Sequence, residues 1–337
     1  MGCRDFRTDT PLRIPTSLYR HPSWVNWKET QGWRRVGDLD GHPVLWRQID
    51  SLSSMAYVAG SPLPGGAGDD YGARLEELSL RALPFLPAGC AFLRWDLMDE
   101  PILDPGGERM ADWLLELRMN APTNRRSFRK AANETLCLDT VVVDLRGGWQ
   151  AVCSRLSPRV RYAVRLADRR GTVVYPEGEA GLGDFYALYR VTQRQRGLRI
   201  HPESAFRRLF HSARDQGLEL ELYLARVSGV PAASAVIARA GKEAWYLFAA
   251  SDPGLWHAAG PTAILYRALK DCAEDGFSCV DLLGVAPKGM KDHPLKGLSL
   301  FKSGFGGTRM IRSGAWDFVL NEEAYADYAR FEASRVG

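Results

Sequence analysis

The chain is 337 residues long, 45% hydrophobic and 25% charged, with a net charge of +4. That length exceeds the usual single domain, so two domains are expected, each able to bury its own core, and the balance is that of an ordinary soluble globular protein. No apolar run approaches the ~20 residues a membrane helix needs, and Met1 to Arg7 lack the apolar core of a signal peptide, so a cytoplasmic protein is expected.

In chain order, His21 to Trp33 reads as a tryptophan-rich helix carrying Lys28. Asp40-Gly41 marks a hairpin whose returning strand holds Val44-Leu45-Trp46. Met55 to Gly60 reads as a buried strand, broken by Ser61 to Gly66. Leu75, Leu78 and Leu83 give Asp70 to Leu83 helical spacing; Ala91 to Asp96 follows as a strand and Met110 to Met119 as a helix. Midway, Thr140 to Leu145 reads as a strand; the second half then repeats the plan, with helix Ser157 to Arg170, strand Thr172 to Tyr175 and helix Gly183 to Gln195. Ser228-Gly229 joins two hairpin strands, Leu220 to Arg226 and Ala232 to Arg239. Strand Ala244 to Ala249, helix Thr262 to Asp275 and strand Val280 to Leu283 come next, then a polar loop, Val285 to Pro294, and Phe301-Lys302 on a glycine-rich loop. Such mixing argues for α/β or α+β layers, with domains at 1–150 and 151–337.

The six cysteines include no C-x-x-C pair and the six histidines no metal-ligand spacing, so neither disulfide nor metal is expected. Charge is regional. Between Arg155 and Arg170 there are six arginines and one acid, Asp168, and from Arg118 to Lys130 four arginines and one lysine without an acid. Basic clusters on a near-neutral body suit a protein that meets phosphates along one face.

Leu295-Lys296-Gly297-Leu298-Ser299-Leu300-Phe301-Lys302-Ser303-Gly304-Phe305-Gly306-Gly307 resembles the Fem family of non-ribosomal peptidyltransferases. So do the helix around Lys28, the run from Thr140 through Arg161 and Arg165 to Val173, and Phe185-Tyr186 through Thr192, Arg194 and Gly197. Family members move an amino acid from aminoacyl-tRNA onto the stem peptide of a peptidoglycan precursor. The resemblance implies two tandem acetyltransferase-like (GNAT) domains, the short form without a helical arm, no cofactor, and a monomer. Its partners would be aminoacyl-tRNA as donor and a muramyl-peptide precursor, UDP- or lipid-linked, as acceptor.

By the same resemblance Phe301-Lys302 is the catalytic pair, Lys302 stabilising the tetrahedral oxyanion and Phe301 shaping the site; the plain alternative is a solvated loop lysine. Asp96 would orient or deprotonate the attacking amine, unless it only pairs with Arg94. Lys28 falls on the family's phosphate-binding lysine, where a point charge suffices, or is a helix-surface lysine. Tyr246 matches a substrate-contacting tyrosine, or is core. His201 stands where the family carries an arginine, with Ala205 where an aromatic is expected; another register brings Arg199, Phe206 or Arg207 there. A histidine would weaken that phosphate contact and makes a lipid-linked or natural-product peptide more plausible as acceptor. Arg161, Arg165 and Arg169 recur every four residues beside Val160, Val164 and Ala167; like charges so spaced repel by ~0.2–0.5 kcal/mol a pair, which an RNA phosphate would relieve. Arg125 and Arg126 form the second candidate RNA contact. The rival readings are an acyl-CoA N-acetyltransferase, whose pyrophosphate loop His257 to Thr262 matches poorly, and an idle RNA-binding scaffold.

Overall fold

The computed structural model describes residues 11–50, 53–60, 70–98, 109–121, 127–197, 200–290 and 292–334. Two compact units emerge, and neither is one continuous segment: Tyr19–Leu138 joins Ile311–Gly337, and Met1–Leu18 joins Asp139–Met310. Among the described residues no helix is long and apolar enough to cross a membrane.

The unit of residues 19–138 and 311–337 opens with a short helical turn, α1 (Ser17–Arg20), that straddles the boundary. The tryptophan-rich helix α2 (Pro22–Glu29) follows, with Pro22 at its first position and the His21 ring accepting from the backbone N–H of Ser23. Then come strands β1 (Arg34–Leu39), β2 (His42–Gln48) and β3 (Ser54–Ala59), helix α3 (Tyr71–Ala82), strand β4 (Cys90–Leu97), helix α4 (Asp112–Asn120) and strand β5 (Phe128–Lys130). Asp40 and Gly41 both take positive φ, 52° and 82°, as the two-residue hairpin demands.

The chain then builds the second unit: β6 (Asp139–Asp144), α5 (Gly148–Arg155), α6 (Pro158–Arg169), β7 (Thr172–Pro176), α7 (Leu182–Arg196) and α8 (Glu203–Gln216). These are followed by β8 (Glu219–Val227), β9 (Val230–Ala240), β10 (Glu243–Ser251), α9 (Gly260–Glu274), β11 (Cys279–Gly284), α10 (Lys296–Ser303) and β12 (Thr308–Ile311). Their strands form one sheet in the order β12-β6-β11-β10-β9-β8-β7. Finally β13 (Gly314–Val319) and α11 (Glu322–Ala333) return to the first unit, whose sheet runs β1-β2-β3-β4-β13-β5.

The expected cut at residue 150 is therefore corrected. It falls inside α5, and β6 belongs to the second sheet because it pairs antiparallel with β11. A single cut also misses β13, which inserts between β4 and β5. The Phe301-Lys302 segment is corrected as well: it is the helix α10, not a loop.

Strand β4 is buried along all its length, as an inner strand is. It nevertheless carries Arg94. That guanidinium meets Asp317, its cross-strand partner on β13, at 2.7 and 2.8 Å, and Glu332 of α11 at 2.7 and 2.8 Å. The closed arrangement ties the C-terminal strand and helix to β4. Replacing Arg94 by alanine strands two buried carboxylates, so urea unfolding should show Arg94→Ala destabilised by about 3–5 kcal/mol, well beyond a surface Arg81→Ala change.

Candidate active site

The second unit acquires a cleft because two parallel strands part. β10 and β11 pair at three register positions, Glu243 with Cys279, Ala244 with Val280 and Trp245 with Asp281. Past them both strands turn irregular: β10 slips against β9 between Tyr246 and Phe248, and β11 against β6 between Asp281 and Gly284. The opening, about 410 Å³, is lined by Tyr189, Tyr246, Pro261, Leu283, Phe301 and Lys302 among others.

Lys302 lies in the last turn of α10, where a cation complements the helix carbonyls. It is only 4% exposed. Its ammonium donates to the carbonyls of Leu283 at 3.1 Å and Gly284 at 2.7 Å. Those oxygens are presented by the irregularity in β11, where Leu283 takes φ 60°, an uncommon conformation for a residue with a branched side chain. Asp281, wholly buried, holds the bend: one carboxylate oxygen accepts from the Leu283 N–H at 2.7 Å and from the Thr140 hydroxyl. Beyond α10, Gly306 takes φ 74° with Arg155 so close that a Cβ would sit 2.5 Å from that residue's own Cβ. The glycine-rich run is thus a close-packed turn that seats the helix.

Phe301 is half-buried and packs edge-on against Phe305, centroids 5.3 Å apart. Tyr246 is buried, and burial pushes its hydroxyl far above the ordinary tyrosine range, so it stays neutral. The Phe301-Lys302 pair and Tyr246, singled out apart in the sequence, therefore line one cleft.

Lys28 and Asp96 belong to the other unit. The Lys28 ammonium sits 5.2 Å from the ring centre of Tyr57, 5.8 Å from Trp24 and 5.9 Å from Trp33, and burial lowers its pKa to about 8. It is a nearly buried lysine in an aromatic setting, not a helix-surface one. Asp96 is fully buried. One oxygen accepts from the Tyr57 hydroxyl at 3.0 Å, while the other has no hydrogen-bond partner among the described residues. Burial, then the neighbouring Glu134, raise its pKa to about 6. The pairing with Arg94 is corrected, since that guanidinium hydrogen-bonds Asp317 and Glu332 instead.

His201 does not join the lining of the Lys302 cleft; it precedes α8 with its ring edge-on to Phe206, centroids 6.3 Å apart. In the alternative register, Arg199 lies outside the described residues, Phe206 is core, and exposed Arg207 bonds Glu203. On α6, Ser157 caps the first turn and Val160 and Ala167 are buried, while Arg161, Arg165 and Arg169 are exposed. Arg125 and Arg126 lie outside the described residues. Sequence reading passed over Asp281 and Tyr57; the available signal was an acid within the apolar run Cys279-Val280-Asp281-Leu282-Leu283.

The start of α9 tests an acyl-CoA reading. Ala259 takes φ 50°, Gly260 is packed so that a Cβ would lie 2.9 Å from that of Ala233, and Pro261 has no N–H. The turn is a packing feature that offers a pyrophosphate too few donors.

These elements define an acyltransferase fold: residues 154–294 match the family model of the acetyltransferase (GNAT) domain, and the whole chain is a two-domain protein of acetyltransferase-like architecture. Its fold is that of FemX, whose crystal structure aligns over 94% of this chain and 99% of that one, with TM-score 0.71 and 18% identity. The C-terminal domain of a putative lysylphosphatidylglycerol synthetase from Agrobacterium fabrum aligns over 92% of each chain (TM-score 0.54, 14% identity), and L-PGS from Bacillus licheniformis over 90% of each (TM-score 0.50, 13% identity). At such identities the likeness is one of fold. No curated protein matches the chain in sequence.

The buried carboxylate carries a pH signature. Asp96 has a folded pKa of about 6 against an ordinary 3.8, so the folded state binds the extra proton between those values and ionisation costs stability as pH rises through about 6. Asp96→Asn lacks that cost. Its stability relative to the native protein, from urea unfolding, should climb by about 2–3 kcal/mol between pH 4 and pH 7; a constant difference would contradict the assignment.

Proposed function

We propose that the protein is an aminoacyltransferase that moves an amino acid from aminoacyl-tRNA onto the side-chain amine of a peptidoglycan precursor stem peptide. The observation that carries this is the Lys302 ammonium, buried and held by two backbone carbonyls at the wall of a cleft, in a chain with the fold of FemX. In this reading the amine attacks the ester carbonyl, Lys302 stabilises the tetrahedral oxyanion, and collapse of that intermediate forms the amide and releases the tRNA 3′-hydroxyl. The amine gives up one proton and the departing oxygen takes one, so the reaction is balanced without a covalent enzyme intermediate. Phe301 and Tyr246 keep the cleft apolar, which strengthens the cation's effect. Asp96 receives or orients the amine proton and Lys28 takes a phosphate of the acceptor; a lysine with a pKa of about 8 remains mostly charged at neutral pH.

The test incubates the protein with radiolabelled aminoacyl-tRNAs and UDP-linked muramyl-pentapeptide. Label should enter the peptide, and Lys302→Ala should slow transfer ~10²–10³-fold with unaltered folding. No transfer to UDP- or lipid-linked acceptor defeats the proposal; a mutant as fast as the native protein defeats the role of Lys302.

A further inference from the structure

We propose that a second groove, beside the Lys302 cleft and in the same unit, holds the unpaired 3′ end of the RNA donor with a base stacked on Trp256; the proposal rests on the donor assigned above. The groove encloses about 510 Å³. One wall is α6, through Val160 and Tyr162; facing residues come from the turn Pro253–Ala258, which carries Trp256, and from Leu300 of α10. Trp256 is 77% exposed, Leu300 57% and Tyr162 54%. Three large apolar side chains around one depression, all left open to water, are costly unless something covers them.

Charge indicates what does. Arg159 lines the groove, Arg169 places its guanidinium 5.7 Å over the Tyr162 ring, and Arg161 and Arg165 are exposed along the same helix. Asp252, also in the wall, accepts from the backbone N–H of Gly254 at 2.8 Å and so serves its own turn. Aromatic platforms flanked by arginines are what single-stranded nucleic acid requires: rings for the bases, cations for the phosphates. The position also fits. Ser251, Pro261 and Phe301 line both the groove and the Lys302 cleft, so an RNA end lying on Trp256 delivers its terminal ester to Phe301 and Lys302.

The experiment uses fluorescence anisotropy of the full chain with a hairpin RNA bearing an unpaired 3′ tail, and with the same hairpin blunt-ended. Trp256→Ala should weaken binding of the tailed RNA about tenfold or more, Trp256→Phe should largely restore it, and blunt RNA should bind all three alike. Arg159→Ala should lower the slope of log affinity against log salt by about one. Native affinity of Trp256→Ala for the tailed RNA, equal losses on blunt RNA, or Trp256-dependent binding of an apolar peptide with RNA binding unchanged would each overturn the groove. The two proposals separate cleanly: tail binding through Trp256 without any transfer leaves the groove standing and removes the transferase reading. Transfer with an unchanged donor KM in Trp256→Ala does the reverse.

Discussion

A parallel strand pair needs continuous, evenly spaced hydrogen bonds to stay together, and β10 and β11 hold that spacing over only three register positions. Beyond Trp245 each slips against its antiparallel neighbour on the other side, so the two diverge, and the gap between them has to be filled. Side chains fill part of it: Tyr246 from one strand, Leu283 from the other, and Phe301 and Lys302 from α10. Leu283 and Gly284 lie beyond the last register pair of β10 with β11, and their carbonyls are the oxygens that hold the ammonium. Cleft and cation are thus two results of one break in the sheet. Asp281 makes the break affordable by accepting from the N–H that the bend exposes.

Buried charge takes two forms in the first unit. Arg94 is surrounded by carboxylates at ideal distance, and those carboxylates by further donors, including the Tyr325 hydroxyl on Asp317. Such a closed network has nothing left to offer a ligand. Asp96 is different: a fully buried carboxylate with one oxygen unmatched among the described residues, its pKa raised, and Lys28 displaced downward on the same account of burial. Groups left in that condition cost stability, and the roles proposed for Asp96 and Lys28 would draw on that cost, a substrate completing the bonding. The contrast is sharpest because Arg94 and Asp96 are two residues apart on one strand.

What the sequence disclosed follows from which interactions are local. Asp40-Gly41 and Ser228-Gly229 announced their hairpins because the turns need positive φ at both positions, and the residues present tolerate it. Helix α6 was legible from Ser157-Pro158 at its start and from its apolar stripe. Features set by distant partners were not. Strand β13 pairs with β4, more than 200 residues earlier, as the Arg94–Asp317 separation of 223 records, and nothing local in Gly314 to Val319 names that partner. The sequence of α10 reads as a loop because Gly297 and the glycines after Ser303 weaken a helical pattern, whereas packing against Val160 and Arg155 decides the matter. Lys302, Phe301 and Tyr246 were found by motif, yet their common cleft depends on a slip in strand register that composition does not encode.

The discontinuous layout constrains how the chain can reach this state. β13 is an inner strand, flanked by β4 and β5, so the sheet of the first unit lacks its middle until residues beyond Ile311 are present. An exposed edge on β4, every residue of which is buried in the finished sheet, is an aggregation hazard while it waits. Closing it requires a loop of more than 200 residues, which is tolerable entropically because loop cost grows only logarithmically with length, and because the intervening residues fold into a unit of their own. The chain therefore reaches β13 directly after β12, having just built the helix that carries Phe301 and Lys302. Completion of the first unit's sheet is consequently tied to the same stretch of sequence that equips the second, and neither sheet can be excised as a simple N- or C-terminal half without severing the other.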